Sequence, residues 1–235
     1  MPTTTAPGDT PDEQPAAGLR VDAERNRDRI LAAARRLFAT EGLGASMAAV
    51  AREAGVGKAT LSRRFATRDE LIDAVFADRM AGYAAAVSTA LADPDPWHGF
   101  TGYVHTVCAM QAADRGFADV LTMTFPAAKA LEKRRADSYH GFLDLIARAK
   151  DTGHLREDYT DRDMPILLMA NAGVINAAGD AAPDAWQRLV AHMLRSYANP
   201  GAPLPPMPEA PTPTALYRAM VRLNRPIADH SSRGH

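Results

Sequence analysis

The stretch from Ser46 to Glu70, SMAAVAREAGVGKATLSRRFATRDE, restricts the fold more than any other part of this 235-residue chain. Ser46 stands where a helix needs an acceptor for its free amides, just ahead of an apolar face of Met47, Val50, Ala51 and Ala54. Gly55 suits the positive φ that ends a helix, Val56 packs inward at the bend, and Gly57 lets the chain re-enter helical geometry. The next helix buries Leu61 and Phe65 one turn apart, which turns Thr60, Ser62, Arg63 and Arg64 outward. Two short helices around a glycine turn, with a basic outer face, predict a unit that reads nucleic acid.

Charge supports that placement. The chain has a formal net charge of −1, yet Arg52, Lys58, Arg63, Arg64 and Arg68 face a single carboxylate, Glu53, between Met47 and Arg68. A basic recognition segment on a mildly acidic body is the asymmetry of a sequence-specific binder. Guanidinium is a two-pronged donor matched to guanine O6 and N7, which makes Arg63 and Arg64 the candidate base readers. Ser46, Lys58 and Thr60 suit phosphate contacts, as does Arg68 in the first turn of the following helix.

The periodicity along the rest of the chain is helical throughout, so the expected class is all-α: a three-helix N-terminal domain with the helix-turn-helix, then a larger helical domain. Residues 1–19, rich in Thr, Pro and Gly, are expected to be a disordered tail. Residues 20–66 form the first domain, opened by a helix whose Ile30, Ala33, Ala34, Leu37 and Phe38 share one face. Residues 67–198 form the second. Thr67 and Glu70 spell a capping box for the helix that leaves the first domain. Asp93-Pro94-Asp95-Pro96 breaks the chain, a short helix is expected from Phe117 to about Phe125, and Pro126 suits the first turn of a long helix ended by Gly153. The helix around Ile166 to Ala178 is almost wholly apolar and is expected to be buried on all sides. Residues 199–235 begin as a proline-rich tail that cannot be helical up to Pro213, after which Leu216, Met220, Val221 and Leu223 suggest one more short helix.

The pattern Gly55-Val56-Gly57-Lys58-Ala59-Thr60-Leu61-Ser62-Arg63-Arg64-Phe65, followed by Arg68 and Asp69-Glu70-Leu71, resembles the TetR family of bacterial repressors. The likeness runs back through the helix Arg25 to Phe38, closed by Glu41-Gly42. Beyond the helix-turn-helix it rests on helical organisation and on Gly153-His154-Leu155-Arg156-Glu157-Asp158, similar to the family's link between two long helices. The chain departs from the pattern at Ser62, where an aromatic is common, and at Arg64, where histidine is. The resemblance implies a homodimer on a palindromic operator, repression relieved by a small apolar or aromatic effector, and no cofactor. It also implies a dimer interface on the last two core helices, at Leu167, Val174, Ile175, Trp186, Leu189 and Met193, with a buried hairpin as the alternative for those helices. An effector cavity is implied among the middle helices, where Trp97, Phe100, Tyr103, Val107, Met110, Phe117, Phe125, Tyr139 and Phe142 supply rings and a thioether, and Asn171, Asn176 or His140 could anchor a polar group. The alternative for each of these residues is a filled core.

Other chemistries fare worse. Gly55 to Thr60 lacks the Ser or Thr after Lys that a phosphate-binding loop needs, and Gly42-Leu43-Gly44 follows a helix, with Met47 where a dinucleotide fold needs its third glycine. The single cysteine, Cys108, excludes an internal disulfide and a multi-thiolate zinc site, which fits the cytoplasm. His105 and Cys108, three apart on one helix, are the only pair that would suit a small helical enzyme, and no acid-base or triad spacing accompanies them. No apolar run reaches the ~20 residues that span a bilayer. A regulator governed by a partner protein, or an activator, remains the alternative within DNA-binding proteins.

Overall fold

The computed structural model describes residues 14–125 and 127–223, with side chains from Asp22 onward. Ten α-helices occur among them and no strand: α1 (Gln14–Glu41), α2 (Met47–Ala54), α3 (Lys58–Arg64), α4 (Arg68–Leu91), α5 (Pro96–Ala113), α6 (Arg115–Thr122), α7 (Lys129–Asp151), α8 (Asp163–Ala178), α9 (Ala185–Tyr197) and α10 (Pro213–Leu223). The all-α expectation holds. No described helix is long and apolar enough to cross a membrane.

Local chemistry sets most boundaries. Ser46 Oγ accepts from Ala49 N at 3.1 Å, Thr67 Oγ1 from Glu70 N at 3.1 Å, and Asp95 Oδ1 from both Trp97 N and His98 N. These are the N-caps of α2, α4 and α5, each occupying amides that the first helical turn leaves free. The return bond from Glu70 reaches Ala66 N, one residue before the cap. Asp114 caps α6 through Phe117 N, so that helix begins two residues before Phe117 and ends at Thr122. Pro126 lies outside the described residues, and α7 starts at Lys129.

Two expectations need correction. α1 begins at Gln14, inside the segment read as a tail: Pro15 is tolerated in a first turn and Ala16-Ala17 are strong helix formers. Residues 1–13 lie outside the described residues. α8 is not buried on all sides, because its apolar composition serves two faces. Met164, Leu167, Leu168 and Asn171 enter the core, whereas Ile166 and Met169 are 57% and 56% exposed on the opposite side.

The core is one contiguous cluster from Ile30 to Tyr197, so the helix-turn-helix and the larger body share it. α6 makes the join. A Cβ on Gly116 would lie 2.9 Å from Phe38 Cβ, Phe38 O and Phe76 Cζ, so only glycine permits α6 to sit this close to α1. Asp119 Oδ2 accepts from Leu43 N at 2.8 Å beside it. α4 is fastened to α7 by Arg134 and Asp73, 2.8 Å apart, and to the turn before α7 by Ala127 N donating to Asp69 Oδ2. After α9 a proline-rich strap, residues 199–212, runs back over α5 and α9 and delivers α10 to α8.

Candidate DNA-binding surface and ligand cavities

Gly55, at φ 63°, closes α2 in the left-handed conformation, and its carbonyl accepts from Arg29 of α1 at 3.2 Å. Gly57 then starts α3, and Leu61 and Phe65 go into the core. With Leu61 inward, Lys58, Ala59, Ser62 and Arg63 stand on the opposite, solvent-facing side. Arg63 is exposed and, among the described residues, bonds its own helix through Ala59 O. Ala59 is the outward residue that charge-based reasoning passed over; its methyl is the type of group that meets a thymine methyl in the major groove.

Arg64, also exposed, makes a contact to α1. Its Nη2 donates to Ala23 O of α1 at 2.6 Å, and with Arg63 and the half-buried Thr60 it lines the cleft between α3 and α1. Arg27 adds a cation over the Phe65 ring at 6.0 Å. Arg64 therefore ties α1 to the recognition helix. Ser46 Oγ accepts at its cap, which keeps its O–H available as a donor, and Lys58 on α3 and the half-buried Arg68 in the first turn of α4 are the neighbouring cations. The first turn of α4 also holds Asp69 and Glu70, both engaged with backbone amides.

The residues expected to line an effector cavity mostly fill the core instead. Trp97, Phe100, Tyr103, Val107, Phe117 and Phe125 are at most 5% exposed. Their rings pack on one another and on neighbours: Trp97 on Phe100 at 5.8 Å, Tyr103 on Phe142 at 5.4 Å, Phe117 on Phe76 at 6.2 Å. Met110 is half-buried against α4 near Gly82. Asn171 is fully buried and its amide joins α8 to α5, donating to Cys108 O and to Gln111 Oε1, while Gln111 donates to Leu168 O. It is a structural clamp. His140 is exposed, with Nδ1 at Ala136 O, and Asn176 is exposed on α8.

Tyr139 and Phe142 do reach a cavity, of about 590 Å³, bounded by Tyr83 of α4, Leu121 of α6, the 132–142 turns of α7, and Met164, Leu168 and Met169 of α8. Its apolar walls carry a polar rim of Glu132, Arg135, Asp161 and Arg162. Tyr139 Oη donates to Asp161 at 2.8 Å, which holds its phenol above the usual range. A second cavity of about 590 Å³ lies under the strap and has Trp97 in its wall.

Cys108 and His105 do not form a reactive pair. Burial pushes the Cys108 thiol up to about 12, which leaves no thiolate at neutral pH, and the His105 ring packs at a tilt against Trp186 at 5.2 Å. The described residues contain no group of three or more His, Cys, Asp or Glu arranged for a metal.

Of the residues expected at a dimer interface, Leu167 and Trp186 lie in this protomer's own core, and Val174, Ile175, Leu189 and Met193 are half-buried. The open side of α8 is instead Ile166, Met169, Ala170 and Gly173, at i, i+3, i+4 and i+7. No charged residue occurs from Met164 to Ala178. A Cβ at Gly173 would meet nothing within 4 Å. On α10, Ala219 packs inward while Tyr217 and Met220 are 69% and 63% exposed.

Comparison with known proteins agrees with this architecture. Residues 30–75 match the family model described as bacterial regulatory proteins, tetR family, and residues 95–195 match that of the transcriptional regulator SbtR-like C-terminal domain. The chain is 31% identical to the TetR transcriptional regulator SCO0520 from Streptomyces coelicolor, over 74% of this chain and 99% of that one, with a TM-score of 0.46. It is 29% identical to a TetR transcription regulatory protein from Mycobacterium vanbaalenii, over 77% and 99%, with a TM-score of 0.45. Mycobacterium smegmatis AmtR, 22% identical over 74% and 87%, shares the fold at a TM-score of 0.54. A glycine-hinged helix-turn-helix in an all-α chain, matched by both family models and 31% identical to a TetR regulator over most of its length, places the chain in the TetR family of DNA-binding transcriptional regulators, proteins that perform no catalysis.

Proposed function

We propose that the protein is a homodimeric, cytoplasmic repressor that leaves a pseudo-palindromic operator when a small molecule enters the cavity among α4, α6, α7 and α8. The observation that carries this reading is the position of α6. Leu121 at one end lines the cavity, and Gly116 and Asp119 toward the other press on Phe38 and bond Leu43 of the DNA-binding unit. A guest that displaces Leu121 must move α6 or strain it, and α6 has no slack against α1. The cavity walls suit an apolar or aromatic guest. Two-fold symmetry is supported by the uncharged open face of α8, on which Gly173 lets a second helix approach, together with the outward apolar side of α10. Symmetry of the protein would be copied into the operator, with half-sites about one helical turn or somewhat more apart.

In the bound state Arg63 reads a base edge, flanked by Ala59 and Ser62, while Lys58 and Arg68 hold phosphates. The effector acts only through its different affinities for the DNA-competent and DNA-incompetent arrangements. Sequencing the genomic fragments retained by the purified protein supplies the operator, and binding to a panel of single-base operator variants then tests the readers. Arg63→Ala should flatten preference at one position in each half-site by ~1–3 kcal/mol, whereas Arg68→Ala should weaken every variant alike. Uniform loss across the panel for Arg63→Ala removes it as a reader. An effector that fills the cavity should weaken operator binding ~5–150-fold, and the operator should weaken the effector by the same factor. A tight ligand that leaves operator affinity unchanged would move the switch elsewhere.

A further inference from the structure

The cavity under the proline-rich strap has a construction of its own. One wall is a stripe of α5, His98, Thr101, Gly102, His105 and Thr106; the second is Val190, Ala191 and Leu194 of α9; the third is the strap from Pro203 to Pro208. The strap is held by three bonds to its carbonyls: Trp97 Nε1 to Pro203 O at 2.6 Å, Arg195 to Pro205 O at 2.9 Å and Arg188 to Pro208 O at 2.6 Å. Prolines offer no amide, and these carbonyls are already engaged, so the strap contributes apolar ring surface and little hydrogen bonding. Both family matches end before the strap begins.

Polar recognition therefore comes from α5 and from Gln187 of α9. Asp95, the carboxylate in the lining, accepts from the amides of Trp97 and His98 through Oδ1 alone. Thr101 donates to His98 O. That leaves the imidazoles of His98 and His105, seven residues apart on one face, together with the Thr106 hydroxyl and the Gln187 amide, as the groups able to donate to a guest. Asp93 Oδ2 lies 2.6 Å from His98 Nδ1, which fixes the proton there and raises the ring's affinity for a second proton on Nε2. Rings already crowd the wall: Trp97 at the strap and Trp186 tilted against His105.

We propose that the strap cavity is a second small-molecule site, separate from the cavity of α4 to α8, and that it takes a monocarboxylate with an apolar, ring-bearing body, its head on the α5 histidines and its body against Leu194 and the strap prolines. A volume of about 590 Å³ is ample for such a molecule. Trp97 and Trp186 are the chain's two tryptophans, and both adjoin this cavity, so intrinsic fluorescence reports on it directly.

The test titrates the full chain with 4-phenylbutyrate and with its neutral amide, read by tryptophan fluorescence and by calorimetry. The acid should bind saturably at one site per chain, and the amide about tenfold more weakly, the difference made by a hydrogen bond to a charged partner. Gly102→Leu is the blocking variant. A Cβ there meets nothing within 4 Å, so the added side chain enters the cavity mouth without disturbing the core, and it suits a helix better than glycine. It should abolish binding while the circular dichroism and melting curve stay native-like. His98→Gln should bring acid and amide to equal affinity. Absence of saturable binding overturns the site, as does binding that survives Gly102→Leu. Equal affinity of acid and amide for the unaltered protein overturns the ligand class. None of these outcomes depends on operator binding, so the cavity of α4 to α8 stands or falls separately.

Discussion

Gly173→Glu on the open face of α8 should split the proposed dimer while leaving each protomer folded. In the protomer the position is free: a Cβ meets nothing within 4 Å, the residue is exposed, and replacing a mid-helix glycine gains ~0.5–1 kcal/mol of helix propensity. In the dimer the new carboxylate would sit among Ile166, Met169 and Ala170, on a helix with no cation from Met164 to Ala178 to pair with. An uncompensated buried charge costs about 3 kcal/mol or more, and symmetry introduces two, so a total of ~6 kcal/mol should raise the dimer dissociation constant on the order of 10⁴-fold. Sedimentation equilibrium across a concentration series measures this, with thermal melting as the control on folding. Val174→Asp is a poorer probe, because Val174 is half-buried against its own core and the charge would damage the protomer as well. A folded Gly173→Glu protein with an unchanged dissociation constant would refute the placement of the two-fold axis on this face.

Two further outcomes follow from packing and from charge. Gly116→Ala forces a Cβ to 2.9 Å from Phe38 O and Phe76 Cζ, so the ~1–3 kcal/mol cost of overpacking should exceed the ~1 kcal/mol helix gain and lower the melting temperature; a rise would mean that α6 can retreat from α1 freely. The His98–Asp93 pair should give a pH-dependent stability difference between the natural chain and His98→Gln. The partner carboxylate raises His98 above 6.5, so that part is full below 6.5 and lost as pH rises through the raised value. The His98 hydrogen bond lowers Asp93 below 3.8, so its part is full above 3.8 and lost as pH falls through the lowered value. The difference in melting temperature should therefore plateau between 3.8 and 6.5 and decline on either side; a flat difference across pH would show that the pair adds nothing.

What the sequence disclosed was largely what neighbours in the chain decide. Ser46, Gly55, Thr67 and the Asp93 to Pro96 break act within a turn, through caps, a left-handed glycine and prolines, and each stands where its chemistry says it should. The fate of Arg64 was hidden because its partner, Ala23 O, is 41 residues away and belongs to the backbone, which carries no sequence signal. Core and cavity could not be separated either, since Trp97 or Phe117 has the same composition whether its neighbours close around it or leave room. α8 illustrates a third limit. When every face of a helix is apolar, periodicity cannot say which face the chain's own core takes and which is left open.

The position of α6 bears on how such a protein can be divided. Phe38, Leu43 and Phe76 complete their packing and hydrogen bonding against Gly116, Phe117 and Asp119, residues that the chain supplies some 50 positions after the helix-turn-helix has ended. A fragment stopped after α3 or α4 would expose that surface to water and lose an acceptor for a part-buried amide. The DNA-reading unit is thus not a portable module. A chimaera that joins it to another regulator's body must import a matching α6, with a glycine facing Phe38 and a carboxylate facing Leu43 N, or inherit a recognition helix standing on an unfinished foundation.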